Sequence, residues 1–162
     1  MSAAVDALVE RMRAVEQRLA ERADAPPPSG LTDPEPDTNE RWEAGQVWAH
    51  LAEFPPYWLR EARQVVAAGA SREPVPFGRV KTDAARIDAI ERERHTDPAA
   101  LLARVRGSLA EVTDAARGFS DAEWAARGLH PTRGEMSVQT IFERFIVGHL
   151  EEHADQLESL FD

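Results

Sequence analysis

The stretch "SVQTIFERFIVGHLEEHADQLESLFD", residues 137–162, reads as one helix running to the end of the chain. It has no proline, its only glycine is Gly148, and Phe142, Phe145, Ile146, Leu157 and Leu160 recur at the spacing of one helix face. Each residue advances about 100° around a helix, so His153 lies roughly 40° from His149 and one turn above it. Phe142, Ile146, His149, His153, Gln156 and Leu160 then form a single stripe, which sets two imidazoles on an apolar face. Histidines so placed are either core residues with satisfied hydrogen bonds or two ligands of one metal ion, because imidazoles at i and i+4 can converge.

Working outward, the same three-and-four spacing joins Val5, Leu8, Val9, Met12, Val15 and Leu19 in a first helix. "RWEAGQVWAHLAEF", residues 41–54, continues a second pattern that starts near Glu40. Pro55 and Pro56 should kink or break it before helix resumes through "YWLREARQVVAAG", residues 57–69. Asp97 as N-cap, Pro98 in the first helical position and Gly118 as stop bracket a third long helix. Ser120 and Glu123 make a capping-box pattern for a brief turn, and residues 83–94 form a short polar helical segment expected to cover one end. Between the first two helices, "ADAPPPSGLTDPEPDTNE", residues 23–40, is a proline-rich linker. No segment shows strand alternation. The expectation is an all-α fold, one domain over residues 1–162 built as a four-helix bundle.

Composition narrows the function. Acidic residues outnumber basic ones 29 to 19, a formal net charge of −10 that repels phosphate backbones and anionic membranes. Nucleic acid is therefore not an expected partner unless a basic patch lies on one face, and no apolar run approaches the ~20 residues that span a bilayer. A cytoplasmic protein is expected. There is no cysteine, so any metal must be held by imidazole or oxygen and any sulfur nucleophile must come from elsewhere.

Two histidines need a third ligand. His50 sits with Val47, Leu51 and Phe54 on one face of the second helix and is the candidate, whereas His95 and His130 lie in turn or loop contexts and read as ordinary exposed residues. Three inward imidazoles would leave coordination positions open to water or substrate, the mark of a reactive site. Glu152, roughly 60° from His149 around the helix, is a candidate base or hydrogen-bond acceptor, or simply a solvated carboxylate. Gln156 shares the histidine face. Glu43, two turns before His50, either orients that ring or makes a surface ion pair, and Trp42, Trp48, Tyr57 and Trp58 either wall a pocket or fill the core. "HLEEH" formally matches the inverted zincin pattern, but that pattern needs a downstream carboxylate ligand and only nine residues follow His153. A di-iron bundle needs Glu three residues before its histidines, where this sequence has Val47, Ile146 and Leu150.

These residues, in this order, resemble the DinB-like superfamily, which includes YfiT-type metal-dependent hydrolases and mycothiol- and bacillithiol-dependent transferases and isomerases. The resemblance rests on Trp42 eight positions before His50 in "RWEAGQVWAHL", and on His149, His153, Gln156 and Leu157 in "GHLEEHADQL". It implies an up-down-down-up bundle in which His50, His149 and His153 hold a divalent ion such as zinc, nickel, iron or manganese, often within a homodimer. It also implies a small-molecule substrate and a low-molecular-weight thiol such as mycothiol or bacillithiol, used by an S-transferase or isomerase. A metal-dependent hydrolase and a non-catalytic metal-binding or stress-response interaction module are the alternatives.

Overall fold

Helix α1, Ser2–Ala23, buries Val5, Leu8, Val9, Met12, Val15 and Leu19, the positions its spacing assigns to the core. The computed structural model describes residues 1–69 and 73–161. Helix α2 spans Ala44–Ala67, with Glu43 as N-cap and its backbone N–H donating to Gln46 Oε1 at 3.0 Å. The helix begins after Trp42, so the linker carries that indole.

The expected break at Pro55 and Pro56 does not occur; α2 runs through both. A mid-helix proline costs about 3 kcal/mol or more. Phe54, Trp58 and Leu59 are all buried around the pair, and burial contributes roughly 1.5–3 kcal/mol per large apolar side chain, enough to hold the rod together. Helix α3, Ala84–Glu93, is capped by Asp83, packs against α2 and buries Arg86 and Ile90. Helix α4, Pro98–Gly118, starts and stops where its caps predict, and α5, Asp121–Ala125, carries the Ser120–Glu123 capping box.

Helices α1 and α2, consecutive in sequence, each pack on α4 and on the C-terminal helix, so they lie diagonally across an up-down-down-up bundle. A diagonal step needs a long connection. The linker supplies it in ordered form: Thr32 is buried, donates its N–H to Trp42 O at 2.8 Å and accepts the Trp42 N–H on Oγ1 at 2.9 Å.

A small sheet accompanies the bundle and was not expected. Strand β1, Val75–Pro76, runs parallel to β2, Arg127–His130, which pairs antiparallel with β3, Gly134–Ser137. The alternation is hidden because the inward residues of β2 are Gly128 and His130, while Leu129 is 44% exposed. A Cβ at Gly128 would stand 2.5 Å from the Phe77 ring and 2.8 Å from Val65, so only glycine lets the strand sit on α2. His130, expected at the surface, is 5% exposed. Its Nδ1 accepts the backbone N–H groups of Thr132 at 3.2 Å and Arg133 at 3.1 Å, and its Nε2 donates to Arg79 O at 3.2 Å. It closes the hairpin turn and ties it to the segment bearing Arg79.

The C-terminal helix is not uniform. Helix α6, Val138–Ile141, leads into a wide π-helical turn, Phe142–Val147, before α7, Gly148–Glu158. The Gly148 N–H reaches back five residues to Glu143 O, and a Cβ there would lie 2.8 Å from that oxygen. One residue is thereby inserted into the helical phase. The buried row downstream is Leu150, Ala154 and Leu157 in place of the predicted stripe, and His149 and His153 move to the flank that faces α2. On the outer side, Arg11 forks onto Glu151 at 2.8 and 2.7 Å, and Arg18 pairs with Asp155 and Glu158, tying α7 to α1. No helix among the described residues is long and apolar enough to cross a membrane.

Candidate metal centre

His50 from α2 meets His149 and His153 from α7. Their Nε2 atoms converge: His149 Nε2 lies 3.0 Å from His50 Nε2 and 3.2 Å from His153 Nε2, and one ligand atom from each lies within 4.8 Å of the others. Imidazole nitrogens each ~2.0–2.1 Å from one ion would stand about 3 Å apart, so the set matches a shared divalent cation. Among the described residues no carboxylate joins the cluster.

The electrostatics favour ligation. Burial, then repulsion among the rings and from Arg86 and Arg79, pushes the pKa values of His50 and His149 well below the usual histidine value. Burial likewise lowers His153 to about 4, against a hydrogen bond donated to Gln156 that acts in the opposite sense. All three imidazoles are thus neutral near pH 7, and the neutral ring is the one with a lone pair for a metal.

The far side of each ring decides which nitrogen points inward. His50 Nδ1–H donates to Glu53 Oε2 at 3.2 Å and His153 Nδ1–H to Gln156 Oε1 at 2.7 Å, which leaves both Nε2 atoms free as acceptors. Gln156 therefore takes the place its helix face suggests. Glu152, 74% exposed at its side chain, stands 3.7 Å from His149 Nδ1, on the acceptor side of that ring and away from its Nε2. Glu43 does not reach His50. It caps α2 and accepts both Nε (2.9 Å) and Nη2 (2.7 Å) of Arg94, the surface ion pair that was the other reading.

Glu53 is the residue that sequence reasoning missed. It stands three positions after His50, as Gln156 stands three after His153, a recurrence visible in the sequence. Burial raises its pKa, opposed by its ion pair with Arg79, whose guanidinium lies 3.8 Å over the Tyr57 ring. Trp42 does wall the site: its indole meets His50 edge-on with centroids 5.3 Å apart and stacks on His153 at 6.1 Å. Phe54 closes the other side, 4.9 Å from His50 and 4.4 Å from His149. Trp48 belongs to the core, and Trp58 stacks on Phe145 at 4.4 Å, away from the three histidines.

The model of the DinB superfamily matches residues 11–157. Among solved structures, YfiT from Bacillus subtilis, described as a probable metal-dependent hydrolase with an unusual four-helix bundle topology, superposes with a TM-score of 0.68 at 17% identity, over 96% of this chain and 85% of that one. The mycothiol-dependent maleylpyruvate isomerase superposes with a TM-score of 0.67 at 16% identity, over 94% of this chain but 60% of the isomerase. An uncharacterised protein from Clostridium difficile 630 has a TM-score of 0.63 at 12% identity, covering 96% of this chain and 94% of that one. No curated protein matches the sequence.

Proposed function

Because the chain belongs to the DinB superfamily, we propose that His50, His149 and His153 bind one divalent metal ion and that the protein is an S-transferase or isomerase using a low-molecular-weight thiol. The convergence of three Nε2 atoms carries the reading, supported by the acceptors that hold His50 and His153 from behind. Zinc, nickel, iron and manganese all suit such a donor set. Bound there, a divalent ion would lower the pKa of a thiol or water enough to provide a nucleophile at neutral pH.

The chain's own residues favour the thiol. Hydrolysis asks for a base beside the attacking water, yet among the described residues no carboxylate joins the Nε2 side of the cluster, Glu53 is occupied by His50 and Arg79, and Glu152 lies behind its ring. A thiol, more acidic than water, makes less demand for such a base. Trp42 and Phe54 shield the site from solvent on two sides and leave the ligand set incomplete, which supports a reactive centre over a structural one.

The test begins with metal analysis of untagged protein exposed in turn to the four metals. About one ion per chain is expected. Titration of mycothiol or bacillithiol into the cobalt-substituted protein should then produce a sulfur-to-metal charge-transfer band. Metal binding without that band would move the reading to a hydrolase or a non-catalytic module, and no metal at all would return the histidines to the core.

The ring tethers are separately testable. Gln156→Ala should weaken zinc binding about 10- to 100-fold by freeing the His153 ring, while Glu152→Ala should change it less than about threefold. Competition with a chromophoric chelator measures both, and equal effects would show that the tether geometry is irrelevant.

A further inference from the structure

Arg86 is 8% exposed and has no carboxylate within 4.0 Å among the described residues. Among the described residues the guanidinium makes one hydrogen bond, from Nη1 to Lys81 O at 2.7 Å, and its Cζ lies 5.4 Å from the centre of the Trp42 ring. The same indole touches His50 and His153, so the guanidinium and the imidazoles share one wall. After burial, the positive charge of Arg86 is among the influences that lower the basicity of all three histidines.

The neighbouring cations are balanced. Arg79 is paired with Glu53, and Lys81 with Glu35 and Asp37. Arg86 alone of the three has no carboxylate in direct contact among the described residues: Glu40, Glu53 and Glu35 act on it only from a distance, and a buried guanidinium without a contact partner is costly unless an anion completes it. Nη1 holds the Lys81 carbonyl, and Nε and Nη2 have no protein partner among the described residues, which leaves that edge of the guanidinium for a ligand. A planar fork of two parallel N–H groups fits a carboxylate bidentately.

We infer that Arg86 is the anion-binding residue of this centre, and that the small-molecule substrate or thiol bound there carries a carboxylate held by the Nε–H and Nη2–H edge of its guanidinium. The inference rests on the metal-site reading only for what lies beside the carboxylate. The anion contact itself exists with or without the metal.

The experiment uses the full chain in zinc-loaded and metal-free forms, with Arg86→Gln and Arg86→Lys variants, followed by isothermal titration. The zinc-loaded wild type should bind 3-mercaptopropionate at least tenfold more tightly than its methyl ester, and metal-free wild type should bind glutarate. Both variants should lose the preference for the free acid and the glutarate binding while keeping full zinc content. Arg86→Lys keeps a cation able to bond the Lys81 carbonyl but lacks the fork, so it carries the test if Arg86→Gln fails to fold. A preference that persists in the variants, or is absent from the wild type, overturns the inference, as does Arg86-dependent binding of inorganic phosphate tighter than that of the carboxylates. Failure of zinc to bind, with Arg86-dependent glutarate binding intact, would overturn the metal reading and leave the anion site standing.

Discussion

Replacement of His149 by alanine is expected to abolish metal binding and, with it, the stabilisation that the metal confers. His149 is the middle member of the triad, its Nε2 3.0 Å from one partner nitrogen and 3.2 Å from the other, and no carboxylate among the described residues can substitute for it. A ligand present at a thousand times its Kd stabilises the fold by about 4 kcal/mol, which for a domain of this size raises Tm by roughly 8–16 °C. Wild type should show that rise on adding zinc, and His149→Ala should show none. Without metal the variant loses at most one hydrogen bond from the His149 ring, worth about 0.5–1.5 kcal/mol, so its baseline stability should fall only modestly. Thermal melts with and without zinc separate the two effects. An undiminished zinc-dependent rise in the variant would remove His149 from the site.

The second large effect lies at Gly45. A Cβ there would stand 2.0 Å from the Arg94 backbone oxygen and 3.1 Å from its carbonyl carbon, and neither atom can rotate away. Gly45→Ala must therefore push the first turn of α2 off the α3–α4 connection, breaking the Arg94–Glu43 pair. A loss of about 3 kcal/mol or more is expected, or roughly 6–12 °C in Tm. Gly107 in α4 provides the control: an added Cβ meets nothing within 4 Å, so Gly107→Ala should stabilise by about 0.5–1 kcal/mol. Urea denaturation of both variants checks the contrast. A harmless Gly45→Ala would mean that the two segments are not held in contact in solution.

Much of this was legible before the coordinates. The apolar spacing of α1, the Asp97–Pro98 start of α4 and the Ser120–Glu123 box are local signals, and each element formed where its signal lay. His50, His149 and His153 were also readable as a set, since each sat at an inward position of a long helix. What escaped depends on distant partners. Pro55 and Pro56 signal a break locally, but the packing of Phe54, Trp58 and Leu59 overrides it. Gly128 and His130 point inward in β2 because Phe77, Val65 and Arg79 await them, and nothing in "RGLH" announces that. Glu53 lies one turn after His50 and Glu43 two turns before it, and spacing along one face does not tell which carboxylate reaches the ring. Arg86 stands out only because no carboxylate touches it among the described residues, a property of the assembled site and not of any motif.

The wide turn at Phe142–Val147 gives the last helix two rotational frames: one set by the core before it, the other by the imidazoles after it. A segment with the same residues but one fewer position would keep its hydrophobic content and its helicity, yet swing His149 and His153 by about 100° about the axis. What this segment guards is therefore its length more than its composition. Conservative exchanges between Ile141 and Gly148 leave the frame untouched, whereas a single deletion there turns a bundle with converging imidazoles into one without them.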